Sequence, residues 1–325
     1  MAKLKGVPQR KNMLGTIADD VLTGTDGADW LNGGMGSDNI AGGGGADILE
    51  GGDGNDVLFS HGRTSDMIDP YYPNLDAVSD DRFTDVDTLR GGAGDDYLFA
   101  GYGDNVDGGE QGDFGNRLYI NFSGATSGVV ADFSRLQTET SITIGGGVIT
   151  NIQNVSYILG SAFDDYLVGL DTFYPSGDAI FGGDGNDTIV GTYYSGWADG
   201  SLHGGNGDDL IDATASQYGG NAYGDAGNDV IRMGLDGTAY GGDGDDQIYS
   251  ASVAYGDAGN DLIVMNPYTW GGGFADGGAG NDDLRVASGG GILIGGDGAD
   301  RLTGGAGSDS LYSASLNVDG PSHDM

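Results

Sequence analysis

The chain contains no cysteine. Disulfides, thiol nucleophiles and cysteine-ligated zinc are excluded, while the compartment stays open on that ground. Histidine is almost as scarce, with only His61, His203 and His323. Neither a GxSxG nor an HExxH motif occurs, so the commonest hydrolase and metalloprotease centres have no signature here. His61, Asp66 and Asp69 form the one grouping readable as a catalytic or metal cluster, and a polar loop is the plainer reading of it. No stretch approaches the ~20 apolar residues of a membrane span. The segment MAKLKGVPQRKNMLGTI begins basic but lacks the apolar run of a secretory signal peptide. Positive charge is also thin: 12 lysines and arginines stand against 50 acidic residues, for a net charge of -38. That sign argues against nucleic acid as a partner, and the self-repulsion opposes compaction unless counter-ions are bound. Glutamate is nearly missing as well, with Glu50, Glu110 and Glu139 alone, so 47 of the acids are aspartate, a residue suited to turns and cation sites rather than helices.

Glycine is present in excess, at 68 of 325 residues, about three times its usual share. Collagen needs more, and 68 glycines with 6 prolines stop short of an unpatterned low-complexity chain. A longer period is therefore expected. Aligned on Gly-Gly pairs, GGMGSDNIA from Gly33, GGGGADILE from Gly42 and GGDGNDVLF from Gly51 follow one another every nine residues. The same register holds at Gly15, Gly24, Gly91, Gly160, Gly182, Gly204, Gly224, Gly241, Gly256, Gly277, Gly295 and Gly304, making 15 copies. All 15 have aspartate at the sixth place and leucine or isoleucine at the eighth, and 13 have glycine at the fourth, Ala18 and Phe163 being the exceptions.

Each place has a physical task. Glycine permits positive φ and close backbone approach, so the first six residues read as a tight turn with exposed carbonyls. The last three are too few for a helix and read as a strand whose middle side chain points inward. Two turns and two strands close a coil of 18 residues, and coils stacked at about 4.8 Å make a sheet on each side. The fold class expected is all-β: a parallel β-roll or β-helix solenoid with an aliphatic interior, stapled by calcium ions. Carboxylates and carbonyls of neighbouring turns converge at its edges, and hard oxygen ligands select calcium. Acidic residues serving only to solvate a surface would not repeat in register with glycine.

The pattern GGxGxDxUx resembles the repeat of RTX, or haemolysin-type calcium-binding, proteins over nearly all of residues 15–311. The resemblance implies calcium between consecutive turns of one edge, held by sixth-place carboxylates and turn carbonyls. The metal residues expected on that basis are Asp29, Asp38, Asp47, Asp56, Asp96, Asp187, Asp209, Asp229, Asp246, Asp261, Asp282, Asp300 and Asp309, with Ca2+ ions on the order of ten. GTIADD and GSAFDD, with Asp20 and Asp165, depart from the pattern. The resemblance further implies export by type I secretion and a secreted, extracellular location, including the cell surface.

Along the chain we expect a basic N-terminal arm over 1–14, with Lys3, Lys5, Arg10 and Lys11, then a block over 15–59 with calcium on both edges. An excursion loop follows over 60–90. The solenoid continues over 91–168 with degenerate repeats and longer strands, as one stack. A second block, 169–311, has motif spacings of 22, 20, 17, 15, 21 and 18 residues from Gly182 to Gly295, one coil each, with calcium mainly on one edge and variable loops on the other. A tail, 312–325, ends the chain.

In the second block the residues before each turn are Phe181, His203, Tyr223, Tyr240 and Tyr255, an outward ladder of rings. The residues before those, such as Ala222, Ala239, Ala254 and Ala275, face Ile211, Ile231, Ile248 and Ile263 across a thin core. The rings read first as cross-strand stacking and second as a face for a glycan or cell-surface partner. Outward seventh places hold one threonine, Thr188, in 15, so a flat ice-binding rank is rejected. The function expected is a secreted calcium-binding structural or adhesive protein, a subunit of a surface layer, filament or biofilm matrix. It is expected to self-associate head-to-tail and to lack catalysis. The alternative is a secreted polysaccharide-acting enzyme or glycan-binding effector on the same solenoid.

Overall fold

The computed structural model describes residues 10–61, 85–170, 179–191, 200–215, 220–234, 237–250, 252–265, 272–287 and 289–313. Lys3 and Lys5 of the arm, Asp66 and Asp69 with most of the excursion, the loop rings Tyr193, Tyr194, Trp197, Tyr218, Tyr268 and Trp270, and the tail from 314 lie outside these residues. The chain divides into two compact units, Met1–Asp184 and Gly185–Met325.

In the first unit, successive strands alternate between two sheets. One sheet runs in the order Asn12–Leu14, Trp30–Met35, Ile48–Asp53, Thr88–Gly94, Asn105–Gln111, and the other runs Val21–Thr25, Asn39–Gly43, Val57–His61, Tyr97–Ala100, Arg117–Asn121, Asn154–Leu159, Ala179–Asp184. Pairing is parallel and in register one coil apart, Trp30 with Ile48 and Val21 with Asn39. This is the 18-residue coil that the nine-residue period dictates, because a turn of six residues reverses the chain and three residues recross it. Pairing continues across the excursion, Ile48 with Thr88 and Val57 with Tyr97, and both ends of the expected 60–90 segment belong to stacked strands, Val57–His61 and Thr88–Gly94.

Two features depart from the sequence expectations. Asn12–Leu14 pairs with Trp30–Leu31–Asn32, so the sheet begins ahead of Gly15 and takes up the end of the basic arm. Where glycine turns fade, the strands do not lengthen. Arg117–Asn121 and Val130–Asp132 stay short, a 3-10 turn spans Phe133–Gln137, and Ser141–Ile144 pairs antiparallel with Gly147–Thr150. The hairpin forms because Gly145 and Gly146, at φ 60 and 95, supply the two left-handed positions of a tight reversal.

The second unit repeats the plan. Ser201–Asn206, Asn221–Ala226, Thr238–Asp243, Val253–Ala258, Gly273–Ala279, Gly291–Asp297 and Ser310–Tyr312 form one parallel ladder, facing Thr188–Val190, Leu210–Ala213, Val230–Met233, Gln247–Ser250, Leu262–Met265, Asp283–Val286 and Arg301–Thr303. Register holds through coils of unequal length, with Asn221 opposite Thr238 and Thr238 opposite Val253.

The core is one side chain deep from each face. Eighth-place Leu31, Ile40, Leu49, Leu58, Leu98 and Leu167 in the first unit and Ile189, Ile211, Ile231, Ile248, Ile263 and Leu284 in the second are all 0% exposed. On the other ladder of the second unit Ala222, Ala239, Ala254 and Ala275 are also fully buried, so there small residues accompany the branched ones. A coil this thin cannot bury enough apolar surface alone and depends on its neighbours. The first unit has a second cluster in which Phe59, Phe99 and Tyr119 stack at 4.1 and 4.4 Å between centroids, with Tyr157 buried beside them.

Candidate metal centres

The turns join the sheets at two edges and set the geometry of the sixth-place aspartates. In most turns the backbone at the second and fourth places takes positive φ, as at Gly242 (φ 110) and Gly244 (φ 136), a region that glycine adopts without strain. A methyl group added at Gly242 would overlap the Asp225 carbonyl of the preceding turn. This packing is what permits successive turns to stack at strand spacing.

Two ladders of side chains lock the stacked turns. In the first, the amide of one sixth-place aspartate donates to the Oδ1 of the next: Asp209 to Asp229 at 2.8 Å, Asp229 to Asp246 at 2.8 Å, Asp246 to Asp261 at 2.8 Å and Asp261 to Asp282 at 2.9 Å. The first unit has the same ladder on both edges, Asp38 to Asp56 at 2.8 Å on one and Asp29 to Asp47 at 2.7 Å on the other. The second ladder runs the opposite way through the fifth place, where Asn228 donates from its backbone to Asp208 Oδ1 at 2.8 Å, Asp245 to Asn228 Oδ1 at 2.9 Å and Asn260 to Asp245 Oδ1 at 2.7 Å. Sequence reasoning missed it. The signal was there as the alternation of Asp208, Asn228, Asp245 and Asn260 at one place, which sets an amide between successive acids.

The first ladder uses one oxygen of each carboxylate. The other, Oδ2, is buried without a hydrogen-bond donor in Asp38, Asp47, Asp56, Asp96, Asp209, Asp229, Asp246, Asp261, Asp282 and Asp300. A buried charged acceptor without a donor costs more than the usual ~1–3 kcal/mol. Natural folds tolerate few of these, so a row of ten calls for a ligand. Burial, with neighbouring carboxylates adding to it, pushes Asp47, Asp56, Asp96, Asp209, Asp246 and Asp261 up to about 7 and Asp229 to about 6. In most of these turns Oδ2 shares its space with a backbone carbonyl of the next coil. A methyl group built on Gly33 would overlap Asp38 Oδ2 and lie 2.7 Å from the Gly51 carbonyl oxygen, and one on Gly204 would overlap Asp209 Oδ2 and lie 2.6 Å from the Gly224 carbonyl oxygen.

Among the described residues no three side chains of His, Cys, Asp or Glu converge. Each site therefore offers a carboxylate oxygen with backbone carbonyls, an all-oxygen set that suits a hard divalent cation and excludes soft-metal chemistry. The residues fit calcium.

The family model of the RTX calcium-binding nonapeptide repeat (4 copies) matches residues 14–49, 34–62, 83–114, 176–192, 194–216 and 287–317. The chain is an RTX β-roll protein. Its repeats are calcium-binding repeats of a type found in extracellular proteins. Comparison with curated proteins gave no match. The matched segments leave out 217–286, yet Asp229, Asp246, Asp261 and Asp282 in that stretch carry the same ladder and the same donor-free Oδ2. Among the described residues, no helix of this RTX chain is long and apolar enough to cross a membrane.

The remaining expected ligands differ in detail. Asp187 is buried and its amide donates to Asp209 Oδ1 at 2.7 Å. Asp309 accepts from the Gly291 amide at 2.9 Å. Asp29 has both oxygens engaged, Oδ1 by the Lys11 amide and Oδ2 by the Thr25 amide at 2.6 Å and hydroxyl at 2.9 Å.

Of the expected ring face, Phe181 packs against Tyr157 in the first unit's aromatic cluster, 5.3 Å between centroids. His203, Tyr223, Tyr240 and Tyr255 stack in the second unit at 4.4, 4.8 and 5.1 Å, nearly parallel. Each inner ring is covered on both faces by its neighbours, which leaves edges and hydroxyls outward. His203 Nδ1 lies 3.1 Å from Asp225 Oδ2.

Proposed function

We propose that this RTX chain is a secreted structural or adhesive protein that folds on meeting extracellular calcium, as a subunit of a surface layer, filament or matrix, without catalysis of its own. The observation that carries the reading is the row of buried, donor-free Oδ2 atoms on glycine turns. With a net charge of -38 and a core one side chain deep, the calcium-free chain cannot offset its ordering entropy. Cations on the order of ten, with affinities of about 10⁻⁴ to 10⁻³ M, supply what is missing outside a cell and not inside one. Calcium then neutralises each carboxylate and ties it to the next turn.

Far-ultraviolet circular dichroism across a calcium titration tests this. Disorder in chelator and β structure at millimolar calcium are expected, and a chain equally folded in both would refute the reading. Self-association belongs to the same proposal. Leu14 and Ile17 on the first coil are 71% and 82% exposed, an apolar surface that a second copy can cover head-to-tail. Light scattering should show growth in calcium, and a monomer at high concentration in calcium would refute that part.

A further inference from the structure

We propose that the second residue of each turn decides whether the turn takes a cation, and that Thr16, Thr25 and Ser161 close their turns with donors of their own. The inference rests on the calcium reading above. It begins from three sixth-place aspartates that accept hydrogen bonds from the second residue of their own turn. Asp20 Oδ2 accepts from the Thr16 amide at 2.6 Å and hydroxyl at 2.9 Å. Asp29 Oδ2 accepts from the Thr25 amide and hydroxyl at the same two distances, 2.6 and 2.9 Å. Asp165 accepts from the Ser161 amide at 2.5 Å and hydroxyl at 2.8 Å.

The cause is backbone conformation. At the second place Gly34, Gly43, Gly52, Gly92, Gly205, Gly242, Gly278 and Gly296 sit at φ 95–121, and Asp225 and Asp257 at 72 and 70. The sixth-place Oδ2 of those turns is buried without a donor; Gly305 is not at positive φ, and its Asp309 is not in that row. Thr16, Thr25 and Ser161 are not among the positive-φ residues, because a β-branched side chain strongly disfavours that region and serine gains nothing there. At negative φ the second amide faces the carboxylate, and the hydroxyl adds a second bond to it.

The space between turns changes accordingly. A methyl group on Gly33, Gly204 or Gly241 would overlap the carboxylate oxygen and stand 2.6–2.7 Å from the next turn's carbonyl oxygen. On Gly24 or Gly160 the order inverts: the carbonyl is overlapped and the carboxylate oxygen stands off at 2.8 and 2.6 Å. A fourth turn reaches the same end by another residue. Asn116 stands at the sixth place, accepts the Asp96 amide on Oδ1 at 3.0 Å, and donates from Nδ2 to the Asn151 carbonyl at 3.2 Å. An amide nitrogen there links side chain to carbonyl, the two groups a cation would otherwise bridge.

The consequence is that the first turn of each edge, at Gly15 and Gly24, orders without calcium and offers a template on which cation-filled coils propagate. Counting bound ions by native mass spectrometry at saturating calcium tests this. Thr25→Gly and Ser161→Gly should each bind one ion more than the parent, Gly242→Thr one fewer, and Thr25→Val the same number. Circular dichroism confirms that each variant is folded, and if one fails to fold the others decide. Unchanged counts in folded Ser161→Gly and Gly242→Thr would overturn the inference while leaving calcium binding intact. A parent chain that binds no calcium would overturn both.

Discussion

Replacing Asp246 by asparagine separates the two roles of its carboxylate. Oδ1 accepts the Asp229 amide at 2.8 Å, and an asparagine oxygen keeps that bond. Oδ2 is buried without a donor, and its charge is opposed by burial first and by Asp229, Asp261 and Asp245 after that. Asparagine removes the charge and points an amide at the space shared with the Gly256 carbonyl, as Asn116 does toward Asn151. At low calcium and neutral pH the variant should therefore be more stable than the parent, by about 1–3 kcal/mol, the cost of an unmet buried acceptor. With calcium the sign reverses. A site filled at one hundred times its dissociation constant contributes about 2.7 kcal/mol, and the variant forgoes it. For a mid-range difference of about 2 kcal/mol the two stability curves cross where calcium exceeds that constant by about thirty-fold. Urea unfolding at a series of calcium concentrations, in sucrose so that the low-calcium chain stays folded, reads this directly. The slope of stability against log calcium should fall by about 1.4 kcal/mol per decade, one ion's worth. A variant less stable than the parent at every calcium concentration, with an unchanged slope, would refute the reasoning.

Protons should substitute for calcium. The folded carboxyls stand at about 6–7, above the ordinary value of 3.8, so the calcium-free roll is favoured below pH 3.8 and loses that stability as pH rises through about 7; circular dichroism in chelator should show β structure recovered on acidification, and none at any pH would contradict the shifts. Ile248→Ala, at a fully buried position, should cost about 2–5 kcal/mol and loosen adjacent coils as well, which hydrogen exchange reads coil by coil. Tyr240→Leu, in the middle of the stacked rings, should lose about 1 kcal/mol with the number of bound ions unchanged; a lost ion would show that the rings support the metal edge.

Most of the roll was legible because each place of the repeat has one physical task. The eighth place had to be core, and Leu31, Ile211 and Ile263 are fully buried. The sixth place had to face the turn, and Asp209, Asp246 and Asp282 lie there at 1–2% exposure. What escaped is what periodicity does not encode. The hairpin of Ser141–Thr150 and the 3-10 turn at Phe133–Gln137 lie where the repeat is silent, so composition suggested only longer strands. Asn116 was hidden because its turn, GGEQGDFGN, carries extra residues and shifts the sixth place. The direction of the two ladders depends on backbone geometry at the second and fourth places, and a Thr-for-Gly difference at the second place reads as drift until φ is known.

Anomalous diffraction from crystals grown in millimolar calcium tests the central claim most directly. The account predicts cation peaks about 2.3–2.6 Å from the Oδ2 atoms of Asp38, Asp209, Asp229, Asp246 and Asp261; an ordered roll in which those oxygens accept from water or protein donors, with no cation beside them, would contradict it.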